Sequence, residues 1–233
     1  MSCHVEWMEA RNTYTLSKQT ASQFVAPGSD TGKVLDQKYW FAKLYEIVTY
    51  NELGFSIHTR YPGFSLHFMK VFYGMYFDAL ANFLGQRSGA VSSLWITHFT
   101  GLASTTNVDP DSYKAIEYSV LTGAIAHIQG DMPVGLVKAY QTWRTNPKPA
   151  FKDLRDEFIT KSRGAFSNAQ AQFYVEVNNR YLNKYMPRVF NNKFPEIGPY
   201  VIDEGQQELH IHPSLDEMFR WREDAWRKAA ARI

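Results

Sequence analysis

Apolar residues recur at helical spacing along most of this chain, and almost nowhere alternate as a strand requires. From Val34 to Leu53, Leu35, Tyr39, Ala42 and Glu46 share one face, and Gly54 is placed to stop a helix there. Pro62-Gly63 signals a turn. The segment from Leu66 to Leu84 is apolar in nearly every direction, which predicts an interior rod rather than a surface helix. A shorter helix is expected over Ala90–Ala103. Another begins at Pro110-Asp111 and runs to about Gln129, where Gly130-Asp131-Met132-Pro133 breaks or kinks it before a continuation to Arg144. Phe151–Lys161 and Ser167–Phe190 read as two more helices, and 191–212 as irregular chain. Ser214 and Glu217 form a capping-box pattern at the head of a last helix ending near Arg232. The expected fold is all-α, a multi-helix bundle of roughly seven helices. Residues 1–33 lack strong periodicity and are read as an N-terminal arm, with 34–233 as a single helical domain.

Composition narrows the function classes. The chain has 233 residues, 45% hydrophobic and 21% charged, which is globular and sufficient for a sizeable core. Its formal charge of +2 gives no basic stripe for nucleic acid. The mixed charges of the last helix, Arg220, Arg222, Arg227 and Lys228 among Asp216, Glu217, Glu223 and Asp224, read as a solvated face. One cysteine, Cys3, excludes an internal disulfide. No leader and no membrane span is expected, so the expected location is the cytoplasm. Aromatic residues make up 15% of the chain, enough to line a pocket for a small apolar or aromatic molecule as well as to fill a core. Zinc-finger cysteine pairs, glycine-rich phosphate loops and a G-x-S-x-G elbow are all missing.

The chemistry-bearing candidates lie on the interior helices. His127 and Asp131 are four residues apart and share a face if the helix persists through Gly130. Together they suit an acid–base pair or a clamp on one metal ion. The competing reading makes Asp131 a helix cap on the Val134 N–H and His127 a satisfied core histidine. Asp78 falls on a stripe with His67, Gly74 and Asn82 and is a candidate second carboxylate, metal ligand or general base. A structural Asp held by a buried partner is the alternative. Tyr45, His98 and Asn178 are further candidates for hydrogen bonds to a substrate. His98 reads by default as a core residue, and Asn178 as exposed. Glu46 is an ion-pair or ligand candidate. His210 and His212 are either a loop metal pair or plain polar residues.

Five segments carry a resemblance: Tyr45 to Thr49, Tyr76 to Leu80, Trp95 to Phe99, Gly123 to Pro133 and Val177-Asn178. In order and spacing the chain resembles a bacterial family of all-α proteins, a domain of unknown function, over residues 40–183. It departs from that pattern at Ile125 and at Gln172-Phe173. The resemblance implies a helical fold and a polar cluster around His127 and Asp131, without implying an activity. Locally, His127-Ile128-Gln129-Gly130-Asp131 resembles the His-x-x-Gly-Asp segment of zinc-dependent phospholipases C and single-strand nucleases. There the His and Asp bind zinc, and Asp78 would stand in for a further Asp ligand. Residues 134–140 lack the histidine those enzymes carry next, so the resemblance implies one metal or none rather than a trinuclear cluster.

The expected function is therefore an enzyme acting on a small, largely apolar or aromatic molecule by His/Asp acid–base chemistry, with or without one divalent metal (Zn or Fe). Cyclisation, elimination or hydrolysis are the reaction types in view. The alternatives are a non-catalytic binding protein for an apolar ligand and an iron-dependent oxidase with carboxylate and histidine ligands.

Overall fold

The computed structural model describes residues 2–27, 33–104, 109–185 and 214–233. They form an all-α bundle, as the periodicity predicts, of seven helical rods among the described residues. In chain order these are α1 (Ser2–Ser22), α2 (Lys38–Ser56), α3 (Pro62–Phe83) and α4 (Ser93–Ser104). One continuous rod follows, made of α5 (Tyr113–Ala124), a π-helical segment (Ile125–Asp131) and α6 (Met132–Thr142). The last two are α7 (Phe151–Tyr185) and α8 (Leu215–Ala230). Among the described residues no helix is long and apolar enough to cross a membrane.

The N-terminal segment read as an arm is helical instead. α1 packs along α2 and α3, burying Ala10, Thr13, Ser17 and Ala21. Those four recur at helical spacing, but they are small. They let the backbones approach closely and give no large apolar stripe to recognise. The hydroxyls of Thr13 and Ser17 donate to the carbonyls of Glu9 and Tyr14 in the preceding turn, so they are satisfied without leaving the helix.

Three other boundaries shift for local reasons. Gly54, expected to stop α2, is carried inside it on an exposed face. Pro62 opens α3, where its missing N–H has no intrahelical partner to lose. The gap expected between Lys161 and Ser167 is absent, and α7 runs straight through. Ser162, Ala165, Phe166 and Ala169 are buried there. Gly85, with φ +69°, ends α3 in the left-handed conformation that glycine adopts without strain. The Ser214–Glu217 capping box forms with both reciprocal hydrogen bonds.

α3 is the interior rod the sequence predicts, with Phe64, Leu66, Phe68, Met69, Phe72, Tyr73 and Tyr76 buried. It packs against α1, α2 and α6. α2 crosses to α7 and α5, and α8 closes against α6, α7 and the π segment. Rings from α2, α3 and α4 thereby gather around the π segment.

Candidate functional site

The π segment owes its shape to Gly130-Asp131-Met132-Pro133. Pro133 has no N–H to offer the Gln129 carbonyl, and its ring would clash with that carbonyl in an α register. The Met132 N–H instead reaches five residues back, to the carbonyl of His127. The chain is not broken there, as the proline alone suggested. It widens for one turn and then resumes as α6. Single π turns of this kind concentrate at functional sites in helical proteins.

This turn presents His127 and Asp131 on one buried face, 5% and 7% exposed. His127 Nδ1 lies 3.2 Å from Asp131 Oδ2. The same oxygen accepts the indole N–H of Trp95, on α4, at 2.8 Å. Asp131 makes no side-chain cap hydrogen bond. Its carboxylate is thus committed to the imidazole and the indole rather than to the start of α6. A carboxylate only accepts, so the His127 proton sits on Nδ1 and Nε2 carries a bare lone pair. Nε2 is buried and has no hydrogen-bond partner. Burial pulls the His127 pKa below its ordinary value, and the bond to Asp131 only partly opposes this.

Aromatic rings fix the imidazole from several sides. Phe72 stacks on it and Tyr45 meets it edge-on, with ring centroids 5.1 Å apart. Phe41 packs against Tyr76, Trp95 and His98. Phe41 has that place because residue 123 is glycine. A Cβ there would fall 2.2 Å from Phe41 Cδ2.

The other sequence candidates divide. Tyr45 belongs to the cluster, but its hydroxyl is already spent on the backbone carbonyl of Tyr73 at 2.8 Å. Burial holds its pKa well above the ordinary tyrosine value. His98 is a core histidine. Nδ1 pairs with Thr122 Oγ1 at 2.7 Å, and burial lowers its pKa to about 3. Asp78 does not join them. Its side chain is 61% exposed and ion-paired with Arg87. α3 turns the His67–Gly74–Asp78 stripe away from its buried face, so the expected second carboxylate of the site is a surface group. Glu46 pairs with Lys43 at 3.1 Å. His210 and His212 lie outside the described residues, as does the side chain of Asn178. Among the described residues no three His, Cys, Asp or Glu side chains are grouped as a metal site requires. His127 and Asp131 are thus left as a pair of donors from one helix, without Asp78.

A second polar group was not anticipated. Glu52 and Arg222 are each 2% exposed, and Arg222 Nη2 donates to Glu52 Oε1 at 3.3 Å. The Tyr73 hydroxyl donates to the other oxygen, Glu52 Oε2. The Arg222 guanidinium lies over the Phe166 ring, 3.8 Å from its centroid, with Phe158 and Phe219 farther out. Burial raises the Glu52 pKa and lowers that of Arg222, while each partner opposes the other's shift. Arg222 Nη1 is buried without a hydrogen-bond partner. Helical spacing carried a signal for both residues. Glu52 falls in line with Tyr45, Thr49 and Ser56, and Arg222 with Met218, Ala225, Trp226 and Ala229, all buried.

His127 and Arg222 line one common cavity of about 70 Å³. Apart from Gln170, the rest of its wall is apolar or aromatic, including Phe41, Tyr45, Phe72 and Met218. Compared with known proteins, the chain matches no family model, no curated protein and no solved structure.

Proposed function

We propose that this protein is an enzyme acting on a small, largely apolar molecule by acid–base chemistry, with His127 as the general base. One observation carries the reading. The imidazole is held by Asp131, and Nε2, its basic nitrogen, is buried without a partner in a residue that lines a largely apolar cavity. A structural histidine satisfies both nitrogens or exposes one to water. The lowered pKa keeps His127 neutral, which is the form a base needs. Asp131 orients the ring and stabilises the imidazolium formed once a proton is taken. The apolar wall selects ligands without an extended polar surface.

The size of the cavity supports a small substrate. It is about half of the roughly 150 Å³ apolar cavity that admits benzene, so a larger ring requires its walls to yield. Met132 and Met218 line it, and methionine is the side chain that repacks most readily.

A second reading, a non-catalytic binding protein for an apolar ligand, draws support from the same apolar wall. The test uses wild-type protein and the His127→Gln variant, incubated with a panel of small apolar and aromatic compounds and followed by mass spectrometry. Turnover by wild type, reduced about 10²-fold or more in a variant with an unchanged circular dichroism spectrum, supports the enzyme. Equal turnover by both overturns the role of His127, and binding without turnover by either favours the binding protein.

A further inference from the structure

Two atoms of the cavity-lining residues, His127 Nε2 and Arg222 Nη1, have no partner, and their chemistry is complementary. The first accepts a proton and the second donates a hydrogen bond. A ligand that engages both must present a hydrogen to one and an acceptor atom to the other.

The charge already present decides what kind of acceptor. Arg222 faces Glu52, so its positive charge has a countercharge. A ligand carboxylate would bring a second anion into the same largely apolar chamber with only one guanidinium between the two. A neutral carbonyl oxygen accepts from Nη1 and adds no charge. The hydroxyls of Tyr45 and Tyr73 are committed to the Tyr73 carbonyl and to Glu52, and the Gln170 amide donates to the Tyr174 hydroxyl, so among the lining residues Arg222 is the cationic donor for that oxygen.

Resting on the reading of His127 as base, we infer that the cavity takes a small neutral carbonyl compound, an aldehyde or ketone, and that the reaction is proton transfer at the carbon beside the carbonyl. His127 Nε2 takes the proton. The C–H electron pair becomes the new C=C bond, and the carbonyl π pair moves onto oxygen. Arg222 Nη1 donates to that oxygen as its charge develops, the moment at which a fixed donor contributes most. Asp131 balances the imidazolium across Nδ1. Returning the proton to the same carbon restores the ketone. Returning it to a conjugated carbon gives an isomer. The cycle is redox-neutral and consumes no co-reactant.

Three isosteric probes test this on the whole protein: 2-butanone, 2-methylbut-1-ene with CH₂ in place of the oxygen, and propionate with a carboxylate. In D₂O, wild-type protein exchanges the protons flanking the butanone carbonyl at least ~100-fold faster than the His127→Gln variant does. By NMR titration butanone binds more tightly than the olefin. In Glu52→Gln/Arg222→Met, which leaves no lone buried charge, that preference disappears and exchange falls about 10²-fold. The ligand comparison on wild type decides the point even if the double variant does not fold. Equal binding of ketone and olefin overturns the role of Arg222, and tighter binding of propionate overturns the neutral carbonyl. Arg222-dependent binding of butanone without any exchange overturns His127 as the base while sparing the carbonyl contact.

Discussion

Phe72 lies flat on His127, with ring centroids 3.8 Å apart and planes 9° from parallel. The stack fixes the plane of the imidazole, and Asp131 fixes its rotation within that plane. Neither group makes a hydrogen bond to Nε2. The nitrogen-15 spectrum of labelled histidine is expected to show His127 neutral at pH 7, with its proton on Nδ1. In Asp131→Asn the preference between the two nitrogens weakens, and activity falls about 10²-fold or more with little change in fold. A proton on Nε2 in wild-type protein at pH 7 would remove the base from the site.

Acid should destabilise the fold through its buried histidines. His98 has a folded-state pKa of about 3 against an ordinary 6.5. Between those values the unfolded chain binds the proton that the folded one refuses. The stabilisation is complete above pH 6.5 and is lost as pH falls toward 3. His127 acts in the same direction. Urea unfolding from pH 6 to pH 4 is expected to show His98→Gln losing stability less steeply than wild type, by about 1.4 kcal/mol per pH unit. Parallel slopes would mean that His98 charges in the native state.

Breaking the Glu52–Arg222 pair on one side should cost more than removing it. Arg222→Met leaves Glu52 buried with only the Tyr73 hydroxyl, a loss of about 3–5 kcal/mol. Adding Glu52→Gln should recover most of that loss, because no charge remains to desolvate. A double-mutant cycle by chemical denaturation measures the recovery. Additive losses would show that the two side chains act independently.

Two glycine substitutions should differ because of what stands opposite them. At Gly123 a new Cβ meets the Phe41 ring, which is wedged among Tyr45, Tyr76, Trp95 and His98. At Gly101 it meets the hydroxyl end of Tyr118, which is half-buried and can swing aside. Gly123→Ala is expected to lower stability by about 1–3 kcal/mol, and Gly101→Ala by distinctly less. Thermal midpoints give the order, and the reverse order would show that the Phe41 ring is free to move.

Much of the architecture could be read where large side chains mark it. α3 announces itself by bulk on every side, α8 by its capping box, and the His127–Asp131 pair by its spacing. What escaped did so for physical reasons. α1 is buried through Ala, Ser and Thr, and the middle of α7 mostly through Ala and Ser beside the single Phe166, which leaves little hydrophobic signal. Asp78 looked interior because its neighbours are so apolar, yet a rod with apolar residues all round still turns one stripe outward. Arg222 looked solvated because acidic and basic residues surround it along the chain. Its register within the apolar stripe of α8, rather than its neighbours in sequence, governs its burial.

Glu52 and Arg222 stand 170 positions apart along the polypeptide. During synthesis His127, Asp131 and Tyr73 all leave the ribosome long before α8 does. The chamber therefore lacks one wall until α8 has been made and docked. A chain cut before α8 would leave Glu52 without its cation, and the side of the cavity formed by Met218 and Arg222 exists only once α8 has docked.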